Sequence, residues 1–267
     1  MLFCPSVSIA KIKKEQKKSN PVVEDLKNLF SYRLARDAKY IFTSPQRVDK
    51  SHLIPIIVAS GLTVGLMAVD EDVREYARNH HNQEASEFLS IYIAPLGDGR
   101  YGVGICSLFY IEGLCFHNEK AKQTGIMGLE SMACAGTLSF LGKLFIGRHR
   151  PKDNKGAFDY TGPSSKSYKS SFPSGHVTVT FSLASVIAEQ YDNIFVNTLV
   201  YGAASGVGFQ RIYDDEHWLS DVFAGAMLGT LIGKTIVKLN KDDSQLSLKP
   251  IIDSEKGTKG IAFNIAF

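Results

Sequence analysis

A chain of 267 residues with 44% hydrophobic and 21% charged residues is long enough to bury a sizeable core and has the make-up of a folded protein. Its formal net charge of +3 is too small to point to nucleic acid. Cys4, Cys106, Cys115 and Cys134 show no metal-ligand spacing, and the last three sit in apolar stretches, so neither a zinc site nor a disulfide framework is expected.

In chain order, MLFCPSVSIA ends in a small-x-small pattern that suits the close of a secretory signal at Ala10, but it lacks a basic leading region. The basic run KIKKEQKK, Lys11 to Lys18, reads as a solvated tail. An amphipathic helix is predicted from about Val23 to Phe42 and an apolar one from Leu53 to Val69, where the charge of Asp70 stops the run. The polar stretch from Asp70 to Ala94 holds one or two more. Further apolar helices are predicted at about Tyr101 to Phe116, Thr124 to Gly147, Gly175 to Gln190, Asn193 to Gln210 and His217 to Leu239. A polar loop from Pro151 to Pro173 is long enough to carry function. The closing GIAFNIAF has an apolar, strand-like pattern with no assigned role.

This reads as an all-α helical bundle with six apolar core helices and additional polar or amphipathic ones. Residues 1–50 form a basic tail and amphipathic helix, residues 51–239 the bundle domain, and residues 240–267 a C-terminal tail. A membrane span needs roughly 20 mostly apolar residues. Only Leu53 to Val69 and Asn193 to Gln210 approach that without a charge; the others carry Glu112, Glu130, Lys143, Glu189 or Lys234. The mean hydropathy of −0.04 suits a soluble bundle as well.

Three islands carry chemistry. In KLFIGRHRP, Lys143 and Arg150 are two helical turns apart and would project from one helix face, with Pro151 ending the helix. In SSFPSGH, Ser174 and Gly175 precede a helix whose first N–H groups lack partners, so those groups and the Ser174 hydroxyl can cradle an anion beside His176. In RIYDDEHWLSD, His217 and Asp221 are four apart on a starting helix, where the carboxylate can orient the imidazole, and Arg211 precedes them. Asp214, Asp215 and Glu216 are read as solvated partners of the helix N-terminus rather than metal ligands, and Trp218 as packing. Taken singly, each island is also what an ordinary helix end looks like. Together, two arginines, a lysine, a helix N-terminus and two histidines suit phosphoryl transfer through a phosphohistidine, with neither metal nor cofactor required.

The order and spacing of these residues resemble the type-2 phosphatidic acid phosphatase superfamily, which includes bacterial lipid phosphatases, acid phosphatases and vanadium haloperoxidases. Its pattern is a lysine, six residues and Arg-Pro, then Pro-Ser-Gly-His, then Ser-Arg, five residues, His, three residues and Asp. Here these are Lys143, Arg150 and Pro151; Pro173, Ser174, Gly175 and His176; and Arg211, His217 and Asp221, with Gln210 in place of the serine. The resemblance implies that His217 attacks phosphorus, Asp221 orients it, His176 protonates the leaving group, and Lys143, Arg150, Ser174, Gly175 and Arg211 hold the phosphoryl oxygens. It implies a phosphorylated lipid as substrate, hydrolysed as a monoester or pyrophosphate.

Lysine-rich termini and the connection with Lys120 and Lys122 would face the cytoplasm in a multi-pass membrane protein, turning the site outward. A cleaved signal at Ala10 would contradict that. The alternatives are a secreted acid phosphatase on soluble phosphoesters, a vanadate-dependent haloperoxidase, and a non-catalytic lipid-binding membrane protein. The six-residue gap from Lys143 to Arg150 disfavours the haloperoxidase, and the intact His217, Asp221 and His176 disfavour a mere binder. The sequence does not specify the oligomeric state.

Overall fold

The structure, a computed structural model, describes residues 21–44, 50–164, 169–253 and 258–265; the signal-like first ten residues and the basic run from Lys11 lie outside them. The described residues divide into two units between Arg36 and Asp37. Helix α1 (Pro21–Phe42) runs across that boundary. It is followed by α2 (Lys50–Met67), α3 (Asp70–Asn79) and α4 (Gln83–Phe88), the last continuing through a π turn and a 3-10 turn to Gly97. The longer helices are α5 (Gly99–Cys115), α6 (Glu119–Ile146), α7 (Gly175–Tyr191), α8 (Ile194–Tyr213) and α9 (Leu219–Gln245). The all-helical reading holds for this bundle. A C-terminal hairpin adds to it: β1 (Leu246–Asp253) pairs antiparallel with β2 (Thr258–Ile265), so the strand-like alternation of the closing segment does form a strand.

Side-chain caps fix several helix starts. Asn82, Asp98, Asn118 and Asn193 each accept an N–H from the first turn they precede, satisfying donors that the helix itself cannot. The stop of α6 differs from the sequence reading. Gly147 takes a left-handed conformation (φ 65°) and its N–H returns to the Lys143 carbonyl, so the helix closes at Ile146. Arg150 therefore lies beyond the helix, and Pro151 opens a short 3-10 turn instead of ending α6. Likewise α9 begins at Leu219, leaving His217 in the turn before it, and it continues past Leu239 to Gln245.

Helix α7 is the centre of the bundle, packed by α6, α8 and α9. Its buried face includes Val177, Val186 and Ile187. Against it, α9 presents Gly225, Gly229 and Gly233, one per turn. A methyl group on any of them would meet the backbone carbonyl of Ser174, Thr178 or Ser182 respectively. The two helices thus approach backbone to backbone, as small residues at every fourth position allow. Cys106, Met132, Leu183 and Ile187 form a core cluster between α5, α6 and α7. Of the cysteines read as small hydrophobes, Cys106 and Cys134 are buried and Cys115 is exposed.

Large apolar side chains are exposed along α2, α5 and α8, among them Ile57, Val64, Leu108, Ile111, Phe195 and Leu199. Among the described residues, the two helices long and apolar enough to cross a membrane are Glu119–Ile146 and Leu219–Lys241. These are not the two charge-free stretches singled out from the sequence, because length offsets the few charges that α6 and α9 carry.

Candidate active site

The end of α6, the start of α7, the end of α8 and the start of α9 meet at one end of the bundle, and with them the eight residues picked from the sequence. Ser174 precedes α7 and is fully buried; its N–H donates to the Asp221 carbonyl at 3.1 Å, which ties the starts of α7 and α9 together. Among the described residues the Ser174 hydroxyl has no hydrogen-bond partner, and it does not cap its own helix. A buried hydroxyl without a partner costs about 1–3 kcal/mol, so a donor or acceptor belonging to something bound there is its expected complement. Next to it, a methyl group on Gly175 would lie 3.4 Å from Ser139 Oγ and 3.7 Å from Lys143 Cε, so the lysine stem runs past the helix start. Lys143 Nζ donates to the Ser170 carbonyl at 2.6 Å. Arg211, Lys143 and Arg150 all lie within charge–charge range of His176, as does Asp98 from the start of α5.

His217 is 3% exposed. The sequence reading had Asp221 hydrogen-bonded to its ring on a shared helix, and the structure corrects both points. The His217 Nδ1 to Asp221 Oδ2 separation is 3.8 Å, within ion-pair range and too long for a hydrogen bond. Asp221 sits in the first turn of α9, where its carboxylate accepts the Trp218 N–H at 2.9 Å. The hydroxyl of Ser171 fills the gap, donating to Asp221 Oδ2 and standing 3.3 Å from His217 Nδ1. Burial pushes the His217 imidazole down to about 4; Lys143 and Arg150 act in the same direction and Asp221 opposes them. Burial thus favours the neutral imidazole, whose Nδ1 side faces Ser171.

Arg148, two residues before the predicted Arg150, is the residue that local reading missed. Its side chain is completely buried, with Asp221 Oδ1 and Asp70 Oδ2 each at 2.7 Å. It also donates to the Ala157 carbonyl at 2.8 Å and to Ser220 Oγ at 2.7 Å. Asp70 closes the circuit by accepting the Ser220 N–H at 2.9 Å and its hydroxyl at 2.5 Å. Trp218 is buried, as its packing role required, with the guanidinium carbons of Arg148 and Arg74 at 5.4 and 5.5 Å from the ring.

The three acidic residues before His217 diverge and do not serve a helix N-terminus. Asp214 accepts the hydroxyls of Ser86 and Ser90, Asp215 pairs with Arg74 at 2.9 Å, and Glu216 accepts from Arg150 Nη1 and from Lys152 Nζ at 2.6 Å. Burial works against the Glu216 charge, but Lys152, Arg150 and Arg211 outweigh it and hold the carboxyl below its usual range. Gln210, standing where serine is usual, accepts the Arg211 Nε–H at 2.6 Å and so supplies that arginine with an acceptor.

The sequence model of the PAP2 superfamily matches residues 126–244. The lipid A 1-phosphatase of Porphyromonas gingivalis is 27% identical over 201 residues, covering 71% of this chain and 38% of that protein. The lipid A 4'-phosphatase of the same organism is 27% identical over 143 residues, covering 51% and 59%. The chain thus spans well under two thirds of either relative. Among solved structures, the transmembrane PAP2-type phosphatidylglycerolphosphate phosphatase of Bacillus subtilis shares the helical fold, with a TM-score of 0.54 at 20% identity over 70% of this chain and 96% of that one. The stretch of this chain that resembles the PAP2 superfamily, residues 126–244, contains all eight residues picked from the sequence.

Proposed function

We propose that this chain is a phosphatase that hydrolyses a lipid phosphate monoester or pyrophosphate through a phosphohistidine on His217, without a metal. The observation that carries the reading is the buried, unpartnered Ser174 hydroxyl at the start of α7, with Lys143 alongside and Asp221 bonded to its backbone. A helix N-terminus with a spare hydroxyl and nearby cations is suited to a phosphoryl group.

In this reading Lys143, Arg150, Arg211, Ser174 and the Gly175 N–H hold the non-bridging oxygens. His217 Nε2 forms the N–P bond as the P–O bond to the leaving group breaks, and His176, in its protonated form, gives its proton to the departing alkoxide of a monoester or the departing lipid phosphate of a pyrophosphate. Water then attacks phosphorus, its proton passes to His176, and orthophosphate leaves. The transition state is loose, so positioning and charge stabilisation supply most of the acceleration. The exposed apolar faces of α2, α5 and α8, with the lengths of α6 and α9, support a bundle embedded in a membrane. Lys120 and Lys122, at the end opposite the site, favour an outward-facing site.

The test is release of orthophosphate by the detergent-purified chain from a panel of lipid A phosphates, phosphatidylglycerol phosphate, phosphatidate and a polyprenyl diphosphate, with EDTA present. Rapid quenching with labelled substrate is expected to trap an acid-labile, base-stable phosphoprotein. Loss of activity in EDTA would defeat the metal-free claim. Absence of release from every lipid would defeat the phosphatase reading.

The pH profile follows from the buried imidazole. A histidine whose folded pKa lies near 4, below the ~6.5 of an exposed one, binds fewer protons folded than unfolded between those values. Burial therefore extends the range of the neutral, nucleophilic ring below that of an exposed histidine. The acid limb of kcat/KM that belongs to His217 is expected near 4, and its contribution to stability is lost as pH falls from about 6.5 towards 4. A limb assigned to His217 at 6.5, by its loss on substitution or by NMR titration of the labelled ring, would contradict the burial argument.

A further inference from the structure

Glu216 has no place in the reaction just described, yet it touches one of its principal cations. The guanidinium of Arg150 gives Nε to the Lys169 carbonyl at 3.0 Å and Nη1 to Glu216 Oε2. A planar guanidinium grips an oxyanion best through two neighbouring N–H groups. Each of the two-donor edges that include Nη1 or Nε then has a member already engaged. Lys152 Nζ, on the more exposed side, holds the other carboxylate oxygen at 2.6 Å. The carboxylate can leave Arg150 and keep a cationic partner.

We infer that Glu216 is a positioning residue that tunes phosphate affinity: its carboxylate competes with the phosphoryl group for Arg150, and so weakens the site's hold on free orthophosphate. This rests on the reading of Arg150 as a phosphate-holding residue. A lipid phosphate brings apolar contacts that help displace the carboxylate towards Lys152. Orthophosphate must displace it by charge alone. The displacement is common to substrate and product; the substrate offsets it with apolar contacts that orthophosphate lacks, and Glu216 acts through Arg150 without taking part in bond making.

The experiment measures inhibition by orthophosphate of lipid-phosphate hydrolysis by the full chain in detergent, for wild type, Glu216→Gln, Glu216→Asp and Asp159→Asn. Glu216→Gln keeps an amide of the same shape without the charge and is expected to lower Ki for orthophosphate by ~3- to 10-fold, the scale of a partly exposed ion pair. Glu216→Asp retracts the charge by one methylene and gives a smaller shift of the same sign. Asp159→Asn removes a charge from the loop between α6 and α7, where its carboxylate faces His149 and makes no ion pair with Arg150 among the described residues, and leaves Ki at the wild-type value. Protection against thermal unfolding by orthophosphate gives the same comparison for a variant that has lost turnover. An unchanged Ki and unchanged protection in Glu216→Gln overturn the competition while leaving the phosphatase reading intact. An equal shift in Asp159→Asn makes the effect one of general charge and overturns it too. A wild-type chain that releases no phosphate overturns both.

Discussion

His217→Ala is expected to slow phosphate release from the preferred lipid by on the order of 10⁴-fold, with no phosphoprotein trapped on quenching. The change removes the atom that would bond to phosphorus and leaves the anion-holding set of Lys143, Arg150, Arg211 and Ser174 in place. Substrate binding is therefore retained, and the loss falls on kcat. His176→Ala is expected to lose less, ~10² to 10⁴-fold, because a general acid speeds departure of the alkoxide without being consumed as a nucleophile. Leaving groups that need no protonation, such as an aryl phosphate, recover part of the His176→Ala loss and none of the His217→Ala loss. If His217→Ala turned over within about tenfold of wild type, the phosphohistidine assignment would be wrong.

Arg148→Ala is expected to destabilise the folded chain by about 3–5 kcal/mol, the cost of stripping one partner from a buried ion pair. Here the penalty bears on two carboxylates at once, since Asp70 and Asp221 both rely on this side chain and all three are completely buried. The readout is the midpoint of thermal unfolding in detergent, which falls by roughly 2–4 °C per kcal/mol for a domain of this size. Arg148→Lys restores the charge but cannot reach Asp70, Asp221, Ser220 and Ala157 together, so it recovers only part of the loss. Adding Asp70→Asn to Arg148→Met removes one orphaned charge and is expected to regain stability over Arg148→Met alone. A wild-type melting point for Arg148→Ala would show that the carboxylates find other counter-charges.

How far the sequence could be read differs between the helices and the site. Apolar spacing located the helix cores within a few residues, from Pro21–Phe42 to the start of α7 at Gly175, because burial against neighbours follows local periodicity. It failed at the ends. Spacing alone placed Lys143 and Arg150 on one helix face, while the left-handed Gly147 turns the chain out of the helix between them. It also put His217 on α9, two residues before that helix starts. The motif residues were legible because they cluster within a few positions of one another. Arg148, Asp70 and Ser171 were not, since the pairing of Arg148 with Asp70 joins residues 78 apart and leaves no local pattern. What signal existed was a third basic residue in Gly-Arg-His-Arg and a lone acid at the end of an apolar run. Neither names its partner.

The seam of Gly225, Gly229 and Gly233 against Ser174, Thr178 and Ser182 works as a mechanical index. A sliding motion of α9 along α7 would drive side-chain bulk into main chain at each step, so the two helices have one permitted offset. That offset fixes how far the Ser174 hydroxyl stands from the Asp221 and His217 pair, and it does so through main-chain contact alone. The exposed apolar side chains on α2, α5 and α8 can consequently vary without shifting the residues of the candidate site. Tolerance to the surroundings and precision at the phosphate are thereby assigned to different surfaces of the same bundle.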